Sequence, residues 1–127
     1  MSRSKCYIAV LEEVPDHMVP VLVAHSMLGA HLATGLWCVP TDYDRLYCDW
    51  LANSFRKCVV RVNMKEFEKI KELPNVYLGH ENTTLNAEKS CAVLVVNDDE
   101  IPNVLKWAKL WKPNSLVRAW DEYEQSV

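Results

Sequence analysis

Long apolar runs are missing from the 127-residue sequence, whose buried-looking stretches are as short as Cys91–Val96. A membrane-spanning helix needs roughly 18–20 such residues in succession, so none is expected. The basic start Met1–Lys5 leads into an apolar run that stops at Glu12 and Glu13, which does not match a secretory leader. The five cysteines are odd in number and show no C-x-x-C or close Cys/His pairing, which supports neither a disulfide framework nor a zinc site. Cys6, Cys58 and Cys91 each open an apolar run, where cysteine behaves as a small buried hydrophobe. Free thiols of this kind fit a reducing compartment, so a cytoplasmic location is expected. An excess of basic charge is also missing. Fourteen Lys and Arg against 17 Asp and Glu leave a net charge of −3, unlike a dedicated nucleic-acid-binding domain. Glycine occurs only three times, with no linker, repeat or low-complexity tract, so residues 1–127 read as one domain. Residues 113–127 read as a peripheral tail. No spacing implies a metal or an organic cofactor.

What is present is ordinary for a globular chain, with 50% apolar and 24% charged residues. Cys6–Leu11 is continuously apolar and reads as a strand buried on both faces. A helix is expected over Val19–Thr34, with Pro20 acceptable in its first turn and Ala24, Gly29, Ala30 and Ala33 small enough to lie close to a sheet. A loop with Trp37, Cys38 and Pro40 precedes a short helix over Asp44–Asn53 and a strand over Lys57–Val62. Asn63 and Glu66 fit a capping box that starts a helix with Phe67 and Ile70 inward and Lys65, Lys69 and Lys71 outward, ended by Pro74. Asn75–Leu78 reads as a strand, Gly79–Thr84 as a polar loop and Cys91–Val96 as another buried strand. The acidic Asn97–Glu100 precedes a helix expected to reach Trp111, favourable at the positive end of the helix dipole. The tail adds a short helix around Leu116–Trp120 or stays irregular. Helices separating buried strands predict an α/β fold: a three-layer α/β/α sandwich on a four-stranded mixed, mainly parallel sheet.

The element order and several local sequences resemble the class II peptidyl-tRNA hydrolases, the archaeal and eukaryotic type, over about residues 5–112. The residues that carry the likeness are Lys5 leading into the first strand, and Val21–Ser26, similar to the family's Ala-Gln-x-Ala-His-Ala stretch. Asp49–Leu51 followed by Lys57–Val62 is similar to its second-strand region, and Thr83–Thr84 to its Asp-x-Gly-x-Thr loop. The departures are that no lysine lies at Asp16–Met18, Leu22 replaces the family's glutamine, and His80 or Glu81 falls where its loop aspartate would be.

The resemblance implies an activity on the ester bond of peptidyl-tRNA, with His25 and Thr84 at active-site positions and His80 or Glu81 substituting for the aspartate. His25 could serve as general base because imidazole titrates near neutral pH, and Thr84 as a hydrogen-bond donor to the developing oxyanion. Each also has a structural or solvated reading, and His17 and His31 read as structural or surface residues. Glu12, Glu13 and Asp16 at the helix entry repel phosphate, whereas Lys65, Lys69 and Lys71, with Lys106, Lys109 and Lys112, form two basic faces for tRNA or another RNA. Trp107 and Trp111, four apart, read as core packing or as an exposed patch for a protein partner. Five tryptophans in a small domain suggest a homo-oligomer. Three functions stay open: a divergent binding or regulatory protein on this fold, placed first; an active peptidyl-tRNA hydrolase or related esterase; and an assembly subunit.

Overall fold

A computed structural model describes residues 3–34, 42–80 and 89–113, with side chains throughout except at 42–44 and 80. It is a mixed α/β structure. β1 (Ser4–Leu11) lies at the centre of the sheet, buried on both faces as its unalternating apolar run requires. A 3₁₀ turn at Asp16–Met18 leads into α1 (Val19–Ala33), with Pro20 in its first turn. α2 (Asp42–Asp49) runs into a π-helical turn, Trp50–Ser54, closed by Phe55 at φ 58°. β2 (Lys57–Val62) pairs in parallel with β1, from Cys6↔Lys57 to Leu11↔Val62. α3 (Met64–Lys71) is followed by β3 (Tyr77–His80) and β4 (Lys89–Asn97), then by α4 (Asn103–Lys106) and β5 (Lys109–Leu110).

The sheet order is β3-β4-β1-β2-β5. Among the described residues it has five strands rather than the expected four, and it is not mainly parallel: β1–β4, β3–β4 and β2–β5 are antiparallel, and only β1–β2 is parallel. The reason lies in strand placement. The helical connections do return β1, β2 and β3 in one direction, as crossovers between parallel strands must. β4 then inserts between β1 and β3 in the opposite sense, so of the three strands that share a direction only β1 and β2 are neighbours.

The fifth strand takes residues expected to be helical. α4 ends at Lys106, and Lys109–Leu110 instead pair with Arg61 and Val60, while the Trp111 N–H donates to the Val59 carbonyl at 2.9 Å. The outer edge of β2 would otherwise leave backbone groups without partners, and satisfying them outweighs a marginal helix. Trp107 and Trp111 therefore do not share a helix face. Trp107 is 75% exposed, whereas Trp111 is half-buried beneath the Arg61 guanidinium, 5.4 Å from its ring centroid.

α1 packs on β3 and β4. Gly29 lies against Tyr77 and Gly79 against Ser26, so helix and strand approach at two positions without a Cβ. Val19, Leu22, Ser26 and Ala30 form the buried side of α1. Met27 touches Cys6 of β1, Sγ to Sδ at 3.9 Å. Trp50 and Tyr47, from the π turn and α2, are fully buried; the Trp50 indole N–H donates to the Arg56 carbonyl at 2.6 Å. Asn63 forms the expected capping box: its Oδ1 accepts from the Glu66 N–H at 2.8 Å, and its own N–H donates to Glu66 Oε1 at 2.9 Å. Phe67 and Ile70 are buried as the pattern required.

Candidate functional site

The strongest sequence candidate, His25, sits on the second turn of α1 with its side chain exposed. Its neighbours on that face, at helical spacing, are Val21, Leu28 and Leu32, which are 61%, 60% and 68% exposed. Leu22, Ser26 and Ala30 occupy the opposite side of the helix, toward the sheet. α1 is therefore apolar on both faces.

α1 and β3 run in opposite senses, because Gly29 meets Tyr77 while Ser26 meets Gly79. His80 ends β3, after a register shift between Gly79 and His80, with its main chain opposite Lys89. The helix bearing His25 and the strand bearing His80 are thus neighbours, and β3 exits toward the N-terminal half of α1. Glu81 and Thr84 lie outside the described residues, as do Trp37, Cys38, Pro40 and the tail with Trp120.

Charge at the entry to α1 is acidic. Glu12 and Glu13 are exposed, and Asp16 Oδ1 accepts from the Arg61 guanidinium at 3.2 Å. Arg61 also donates to the Glu12 and Lys112 carbonyls, at 3.2 and 2.8 Å, so this cation is engaged in holding the segment from Glu12 to the 3₁₀ turn, β2 and the chain after β5 together. His31 is structural, with Nδ1 2.9 Å from the Tyr47 hydroxyl, and His17 is on the surface. On α3 the exposed lysines alternate with Glu66, Glu68 and Glu72, and Lys71 pairs with Glu68 at 3.2 Å. Lys106 lies over the Trp107 ring at 5.3 Å, with Lys109 and Lys112 exposed beyond it.

The buried thiols are not nucleophiles. Burial, with the nearby Cys58, pushes Cys6 up to about 12, and burial pushes Cys91 up to about 11. Among the described residues no three His, Cys, Asp or Glu side chains come together to hold a metal ion. A shallow groove of about 190 Å³ lies along the outer edge of β4 beyond β3, lined by Leu46, Leu73, Pro74, Leu94 and Glu100 among others, and includes none of the candidate residues.

The outer face of α1 is the feature that the sequence reading missed. Its signal was there: from His17 through Thr41 the chain has no Asp, Glu, Lys or Arg, so α1 has no charged side to turn to water. No protein-family model matches this sequence, and no curated protein matches it either.

Proposed function

We propose that this chain is a binding protein, a divergent relative of the class II peptidyl-tRNA hydrolases that keeps their three-layer α/β/α fold without their chemistry. It acts in a reducing compartment such as the cytoplasm, and its partner is a protein that docks on the outer face of α1. The observation that carries the reading is the setting of His25. A general base works in a site that excludes water and holds its substrate in hydrogen-bond reach. His25 instead projects from an exposed apolar face between Val21, Leu28 and Leu32. Such a face suits burial by another protein, since apolar patches rimmed by polar residues mark interaction sites. The acidic entry of α1 also disfavours phosphate.

The second reading is hydrolysis of peptidyl-tRNA by His25, Thr84 and a substitute from His80 or Glu81. It draws on the contact of Ser26 with Gly79, which puts the helix of His25 beside the strand that ends in His80. Release of tRNA from an N-blocked aminoacyl-tRNA by the purified chain separates the two. Release at the background rate, equal in wild type and His25→Ala, is expected. Turnover that falls by about a hundredfold or more in His25→Ala, the scale of a lost general base, would overturn the binding-protein reading.

A further inference from the structure

The exposed residues of α1 are spaced in a way that fits a second copy of the same helix. Val21, His25, Leu28 and Leu32 follow one another at intervals of four, three and four, which is the seam spacing of packed helices. The interval pattern reads the same from either end, with its midpoint between Ser26 and Met27. A two-fold axis through that midpoint, perpendicular to α1, sets Val21 opposite Leu32 of a second copy and His25 opposite Leu28 of that copy. Isologous interfaces demand this kind of self-complementarity. We infer that α1 is the interface of an antiparallel homodimer of this chain; the inference rests on the reading of α1 as a docking face and names its occupant.

Electrostatics favour the pairing. The chain carries a net charge of −3, so most pairs of like surfaces would bring like charges together, yet α1 carries no Asp, Glu, Lys or Arg. Antiparallel packing also places the positive end of each helix dipole beside the negative end of the other. The area sets the strength. The patch spans three turns, about 16 Å, and a face of this kind has roughly 300–600 Å² to bury on each copy. Two such faces reach about 1,000 Å², the low end for a specific interface. The dimer is therefore weak and reversible, dissociating at micromolar concentrations.

Sedimentation velocity of the full chain from about 5 to about 500 μM tests this, a range that brackets micromolar dissociation constants. Wild type should move from the monomer mass toward twice that mass as concentration rises. Leu28→Lys should stay monomeric over the whole range, because it sets a cation against His25 of the second copy and removes the central leucine. His25→Glu combined with Leu28→Lys should recover the dimer, since the axis then pairs each carboxylate with an ammonium group. The two residues involved, His25 and Leu28, are exposed, so unchanged circular dichroism is expected in each variant. A wild type that is monomeric at the highest concentration overturns the homodimer while leaving a different protein as the occupant of α1. A dimer unaffected by Leu28→Lys, or one not recovered in the double variant, overturns this interface and its register. The tRNA-release assay judges the underlying binding-protein reading separately.

Discussion

At the scale of single residues, the closest approach of helix to sheet depends on two glycines. Of the four small residues that suggested such an approach, Ala24 and Ala33 are exposed, whereas Gly29 and Ala30 face the sheet side. A Cβ at Gly79 would run into the Ser26 hydroxyl and Cβ, and would stand 3.1 Å from the Ser26 Cα, which is helix backbone and cannot swing away. Gly79→Ala should therefore destabilise the fold by about 1–3 kcal/mol, the usual cost of overpacking, as read by urea unfolding. Gly29→Ala should cost less. Its Cβ meets the Tyr77 side chain, which can rotate, and alanine is favoured over glycine inside a helix by about 1 kcal/mol. Equal losses in the two variants would show that α1 is not held rigidly against β3 at Gly79.

At the scale of elements, what could be read from sequence was what local chemistry decides. The start of α3 was legible to the residue because it is a side-chain cap acting over four positions, Asn63 to Glu66, whereas the helix ends at Lys71, ahead of Pro74. Asn63→Ala should cost about 1 kcal/mol, within the usual range for a lost N-cap, with Asn63→Asp recovering most of it; thermal unfolding measures both. An unchanged midpoint in Asn63→Ala would mean that burial of Phe67 and Ile70 alone holds α3. The segment after β4 was not legible in the same way. Residues 103–111 have helical spacing, but Lys109–Leu110 pair with Arg61 and Val60 at the edge of β2, and no cap or turn signal announces that distant pairing. The π turn at Trp50–Ser54 is likewise decided by tertiary contact, with the Trp50 ring buried and its N–H on the Arg56 carbonyl.

At the scale of the whole molecule, the sheet core couples folding to pH through its thiols and phenols. Cys6 rises from 9.0 to about 12 and Cys91 from 9.0 to about 11, and burial raises Tyr7 and Tyr47 above 10.0 as well. Each folded-state value lies above the unfolded one, so the folded protein binds more protons in the alkaline range. The associated stability is complete below pH 9.0 and is lost as pH rises toward about 12. Urea titrations should show stability falling above pH 9 by up to about 1.4 kcal/mol per pH unit for each thiol, with a shallower fall in Cys6→Ala. A flat profile from about pH 8 to about 11 would mean that Cys6 and Cys91 are reached by water in the folded state.

The residues alone were enough for an α/β chain without a long apolar helix, for the bounds of β2, the body of β1 and the start of α3, and for the acidic entry to α1. Each of these follows from contacts or patterns within one element: continuous apolar runs, a four-residue cap, a run of carboxylates. Tertiary structure decided the insertion of β4 between β1 and β3, the fifth strand, the separation of Trp107 from Trp111 and the setting of His25. These depend on which distant segments meet. An edge of β2 needs backbone partners wherever they come from, and an uncharged helix can bury only one of its two apolar faces against a sheet. The lack of charge along α1 leaves both of its sides apolar; only the packing of Ser26 and Gly29 on β3 decided that Val21, His25, Leu28 and Leu32 would be the side left outward.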